Sequence, residues 1–215
     1  MSASRATPLG PGPGDRARGG TPRVALAELL AGNRRFVSGQ PVHGHDVTAA
    51  AASASGDQQP YAVLLGCIDS RVPLEAIFDQ TFGSICVIRT GGHVLDRAVL
   101  GSIEYVVDVL GVPLVMVLGH ERCGAVDATV GALRTGRRPD GALAHLVDRI
   151  APAVTEVGVD DPQVQPLAIR RHVRRTVAAL RADPILSAPL AAGRVAVAGA
   201  LYDLSTGEVA LLDPP

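Results

Sequence analysis

The sequence predicts an α/β fold: a mostly parallel sheet of four strands with an antiparallel edge strand, flanked by helices. Three observations predict it. From residue 61 onward, short apolar runs alternate with segments of helical periodicity. The runs are apolar on both faces, which suits strands covered on both sides by helices. At 215 residues and 47% hydrophobic, the chain is also long and apolar enough for one domain with its own core.

Each element has a local signature. Residues 1–20, rich in Gly, Pro and Ala, offer little to bury and read as a flexible tail. Thr21-Pro22 reads as an N-cap followed by proline at the first helical position. It opens a helix with apolar Val24, Leu26, Leu29, Leu30, Phe36 and Val37, ending near Gly39. Residues 40–58 are small, polar and expected to be irregular. "YAVLLG" (61–66), "SICVIRT" (84–90) and "PLVMVLGH" (113–120) read as buried strands. Between them, "PLEAIFDQ" (73–80) and "AVLGSIEYVVDVLG" (98–111) read as helices. Residues 124–192 are mostly helical. "VAVAGALYDL" (195–204) is a fourth strand, and the turn at Gly207 returns "EVALLD" (208–213) as the antiparallel edge. Residues 21–213 therefore form one domain.

Composition removes several classes of function. A net charge of −1 and 3% aromatic residues without tryptophan argue against nucleic-acid binding by phosphate neutralisation or base stacking. Three cysteines do not make a disulfide framework. No apolar run approaches the roughly 20 residues of a membrane span, and the N-terminus lacks a signal-peptide core. The expectation is a soluble cytoplasmic protein with free thiols.

Chemistry collects beyond the carboxyl ends of the strands, where open parallel sheets place their sites. Cys67 follows the first strand, Gly91-Gly92-His93 the second, and "GHERCG", with His120 and Cys123, the third. Two thiolates and one imidazole suit zinc, and three ligands with an open fourth position form the pattern of a catalytic site. Cys86 lies inside a strand between Ile85 and Val87 and reads as core filler. In "CIDSR" (67–71), Asp69 is placed to orient a hydroxide formed from water on the zinc. Arg71 is placed to hold that carboxylate off the metal by a bidentate pair. Were the pair to break, Asp69 itself becomes a fourth ligand.

At these residues the chain resembles a β-class carbonic anhydrase. The matching stretches are "CIDSR" (67–71), "HERC" (120–123), "VIRTGGHV" (87–94), "VLGSIEYVVDVLGVPLVMVLGH" (99–120) and "ALAELLAGNRRFVSG" (25–39), so the likeness covers roughly 22–212. It implies reversible hydration of CO₂ to bicarbonate and a proton by zinc-bound hydroxide. It also implies Cys67, His120 and Cys123 as ligands of one Zn²⁺ per subunit, with Asp69 as the switchable fourth and Arg71 as its partner. Gln58 matches a glutamine that lines the substrate pocket across a dimer interface, and Gly92 is expected in the same pocket. The resemblance further implies a homodimer or a tetramer of dimers, with residues 22–38 as an interface arm. Members with a non-catalytic bicarbonate site carry tryptophan where this chain has Leu64, although Arg89 and Tyr202 match its other two residues.

Two other functions are compatible with the motifs: hydrolysis of CS₂ or COS on the same scaffold, and zinc binding without catalysis. Val72, Phe82, Val94 and Tyr105 are expected to line an apolar pocket for CO₂. His43 and His45 read as loop residues, His145 and His172 as surface or core-edge residues, and His93 as either structural or supporting the site. The arginines at 170, 171, 174, 175 and 181 read as a solvated helix face with acidic neighbours.

Overall fold

The computed structural model describes residues 20–43, 46–54 and 58–213. The expected tail, except Gly20, and His45 lie outside them. Five strands, β1 (Ala62–Cys67), β2 (Ile85–Thr90), β3 (Leu114–His120), β4 (Ala196–Tyr202) and β5 (Val209–Asp213), form one sheet in the order β2-β1-β3-β4-β5. The first four strands in that order pair in parallel, and β5 pairs antiparallel to β4 at the edge. The predicted architecture is thus the observed one.

Side chains alternate along each strand and build two cores. Val63, Leu65, Val115, Val117 and Val197 face one way, into a layer formed by α4 (Arg97–Asp108), α5 (Gly124–Thr135), α6 (Leu143–Val157), α7 (Val164–Arg181) and α8 (Pro184–Ala191). Ala62, Leu64, Leu114, Met116 and Leu118 face the other way, onto α1 (Pro22–Val37) and the single turn α3 (Leu74–Ile77). The β1-to-β2 connection carries α3 on one face. The β2-to-β3 connection carries α4 on the other. Strand order therefore reverses at β1, and a crevice opens between the carboxyl ends of β1 and β3, the place where such sheets bind ligands.

Helix α1 begins as its cap predicts: Thr21 Oγ1 accepts the Val24 N–H at 3.4 Å. Its close approach to the end of α3 depends on Gly32, since a β-carbon there would sit 1.8 Å from the Phe78 carbonyl oxygen. The residues expected to be irregular contain one more helix, α2 (Val47–Ala54). Alanine favours a helix without any apolar periodicity, and Asp46 caps it by accepting the Ala49 N–H at 2.9 Å. Arg171 and Arg175 flank Glu156 in ion pairs, so that part of the arginine face does have an acidic neighbour.

Asp79 ties α1 to the loop that follows it. The buried carboxylate accepts from Arg35 Nε and from the backbone N–H groups of Val42 and His43. Burial alone pushes its pKa up, but Arg35 and the two N–H groups outweigh that and hold it below the usual carboxylate value. A group depressed in this way stabilises the fold fully above its unfolded pKa of about 3.9, and the contribution fades as pH falls below that. Asp79→Asn is expected to lower stability by about 2 kcal/mol at pH 7. In urea titrations the gap from wild type is expected to shrink below about pH 4; a gap that does not change with pH contradicts the assignment.

Candidate metal centre

The strand ends bring three ligating side chains together. Cys67 is the last residue of β1, His120 the last of β3, and Cys123 immediately precedes α5. The ligating atoms of these three buried residues lie within 4.8 Å of one another. The two sulfurs are 4.0 Å apart, too far for a disulfide. Two bonds of about 2.3 Å at a tetrahedral angle would set them about 3.8 Å apart, so the spacing suits a shared zinc ion.

The surroundings fix each ligand. The Nδ1 of His120 donates to the Glu121 carbonyl at 2.8 Å, which in the neutral ring leaves the lone pair on Nε2. That Nε2 is buried and has no hydrogen-bond partner among the described residues. The Cys67 thiol is pulled down, chiefly by a hydrogen bond from the Cys123 thiol, with the backbone N–H groups of Asp69 and Gly92 assisting against burial. Cys123, as the donor of that bond and through its own burial, is pushed up. The pair by itself favours one thiolate. A second thiolate needs a cation between them, and an unpartnered imidazole nitrogen beside two sulfurs is the donor set that zinc takes.

Asp69 and Arg71 stand at the rim. Arg71 donates from Nε to Oδ1 at 3.0 Å and from Nη2 to Oδ2 at 2.7 Å, and its backbone N–H reaches Oδ1 at 2.9 Å. These bonds, the side-chain pair above all, hold the Asp69 carboxyl far below the usual range, so it is ionised at neutral pH. Its Oδ2 lies 4.0 Å from His120 Nε2. The Asp69–Arg71 pair is thus intact, with the carboxylate beside the ligand cluster.

A cavity of about 580 Å³ opens from Cys67 and Asp69 along Gly91, Ala125, Leu146 and Val147. None of the four residues expected to line a pocket is on its wall. Val72 and Val94 are buried in the two separate cores, and Phe82 and Tyr105 are about half exposed elsewhere. Nearness in sequence to the motifs did not translate into a shared strand face. Gly91 lines the cavity; Gly92 lies buried and gives its N–H to Cys67 Sγ at 3.4 Å. Gln58 is exposed and is not on this wall. Cys86 is only half buried, because β2 is an edge strand.

Sequence reasoning missed two supports. Arg89 donates to the carbonyls of Cys67 at 2.8 Å and Asp69 at 2.6 Å and so pins the loop carrying both. His172, expected at the surface or the core edge, is buried and bonded to the Gly92 carbonyl at 3.0 Å. The signal for it was available: His172 shares the four-residue stripe of Ala168, Thr176 and Leu180, the buried face of α7.

A family model described as carbonic anhydrase matches residues 62–209. Carbonic anhydrase 2 of Mycobacterium tuberculosis is 45% identical over 193 residues, covering 89% of this chain and 93% of that protein. A carbonic anhydrase of Mycolicibacterium smegmatis is 45% identical over 197 residues, covering 88% and 93%. Among solved structures, a Coccomyxa β-carbonic anhydrase in complex with acetazolamide matches with a TM-score of 0.68 at 26% identity, covering 88% of this chain and 87% of that one.

The thiol asymmetry is directly measurable. In chelator-treated protein at pH 6, iodoacetamide is expected to modify Cys67, which borders the cavity, before Cys123, held up by its hydrogen bond to Cys67 and by burial, and before Cys86, held up by burial. Peptide mass spectrometry reads the order, and earlier labelling of Cys123 contradicts the assignment.

Proposed function

Because the chain belongs to the carbonic anhydrase family, in its β class, we propose that it catalyses the reversible hydration of CO₂ to bicarbonate and a proton, with Cys67, His120 and Cys123 holding one zinc ion. The observation that carries this reading is the buried, unpartnered Nε2 of His120, gathered with two sulfurs under a carboxylate pinned by arginine. Zinc held there supplies the Lewis acidity that lets water ionise near neutral pH.

The residues of the chain do the rest. Asp69, ionised and 4.0 Å from His120 Nε2, accepts a hydrogen bond from the attacking water and fixes which lone pair meets the carbon. With its pKa held so low it orients a proton and does not store one. In hydration the water oxygen forms the new C–O bond, one C=O pair moves onto the substrate oxygen, and the proton leaves to solvent. Arg71 keeps Asp69 turned to this task. Without that pair the carboxylate is close enough to take the fourth ligand position itself. The apolar wall at Ala125, Leu146 and Val147 suits an uncharged substrate.

We assign Gln58 to a neighbouring subunit's site in a homodimer, or a tetramer of dimers, with residues 22–38 as the interface arm. Two features support this: Gln58 is exposed away from its own cavity, and α1 exposes Val24 and Val37. The proposed compartment is the cytoplasm; no described helix is long and apolar enough to cross a membrane.

Metal analysis combined with stopped-flow CO₂ hydration tests the reading. Wild type and Asp69→Asn are each expected to carry one zinc per chain, with turnover at least about 100-fold lower in the variant. Unchanged turnover removes the role given to Asp69. A zinc-loaded wild type that hydrolyses COS or CS₂ but leaves CO₂ untouched overturns the substrate.

A further inference from the structure

The turn after β2 is held in an unfavourable shape. Gly92 has φ 62° and ψ 31°, and His93, which has a side chain, follows with φ 46°. Two successive left-handed residues, one of them not glycine, are unfavourable and persist only where surrounding contacts impose them. His93 adds to that cost: its ring is fully buried, and neither nitrogen has a hydrogen-bond partner among the described residues. Gly92 has little freedom to shift, since a β-carbon there would lie 2.9 Å from Ile150 Cδ1 and 3.0 Å from Ala125 Cβ.

What the shape achieves is the placement of one N–H. In this turn the Gly92 amide points at Cys67 Sγ, 3.4 Å away. A thiolate that accepts a backbone N–H is more stable, and its orientation toward a shared ion is fixed. The contact that imposes the turn comes from a different element. His172, in the middle of α7, meets the Gly92 carbonyl through Nε2 at 3.0 Å, and its ring lies against His93, tilted by 33° with centroids 4.5 Å apart. A carbonyl only accepts, so the His172 proton sits on Nε2. Burial lowers the His172 pKa to about 4, which keeps the ring neutral and the bond in one sense above that pH.

We infer that His172 is a positioning residue for the metal centre: by holding the Gly92–His93 turn in its left-handed form, it keeps the Gly92 N–H on the sulfur of Cys67. The inference rests on the zinc reading proposed above and deepens it. His172 touches neither substrate nor ligand atom directly, so its effect is on how tightly and in what geometry Cys67 holds the ion.

The test uses full-length protein loaded with zinc, and separately with cobalt(II). His172→Leu removes the donor. His172→Asn stays polar but is too short to reach Gly92, and His172→Gln restores an N–H at similar reach. Zinc loss to a chelator is expected to speed up about 10–100-fold in the Leu and Asn variants. The thiolate-to-cobalt charge-transfer band is expected to shift in both, and Gln is expected to return both readouts close to wild type. Loss of packing alone would not produce rescue by Gln together with failure of Asn. A wild type that loads one ion while Leu or Asn, folded by circular dichroism, keeps it at the wild-type rate with an unmoved band overturns this inference alone. Should Leu fail to fold, Asn against Gln decides it. A wild type that takes up neither metal through these residues overturns the zinc reading and the inference with it.

Discussion

Two sulfurs 4.0 Å apart in a buried crevice cannot both carry a charge unless a cation lies between them. This electrostatic constraint organises the site. One thiolate is tolerable because the other thiol and backbone N–H groups stabilise it; the second is not. The fold then has to deliver three ligating atoms from two strand ends and a helix start with little freedom to move. The reversal of strand order at β1 does so, because the loops after β1 and β3 leave the sheet side by side.

The supporting contacts are mostly between side chains and backbone, which gives the site rigidity. Arg89 clamps the carbonyls of Cys67 and Asp69, Glu121 lends its carbonyl to His120, and Gly92 lends its N–H to Cys67. Arg71 is the exception: its half-exposed side chain pairs with the Asp69 carboxylate at the rim. The buried ligand Cys67 and this partly exposed pair are thus separated by two residues of chain. The apolar cavity continues from that pair along α5 and α6.

Much of this was legible in the sequence because the signals were local. The four parallel strands end within a few residues of where their apolar runs stop, and the His120–Cys123 spacing announces a shared turn. The meeting of Cys67 with that turn follows from parallel topology alone. Other features depend on three-dimensional neighbours and left a weaker trace. Helix α2 has no apolar stripe, only an aspartate cap and a run of alanines. The cavity wall comes from α5 and α6, far in sequence from the motifs around Val72 and Val94. His172 lies eighty residues from the turn it holds, so no motif could link them.

All of the chemistry assigned to the chain depends on Cys67, His120 and Cys123 sharing one ion. Zinc K-edge X-ray absorption on the purified, zinc-loaded protein measures that directly. The account predicts two sulfur scatterers at about 2.3 Å and an imidazole nitrogen at about 2.0–2.1 Å, with one light-atom ligand completing the shell. A first shell of oxygen and nitrogen without sulfur would contradict it.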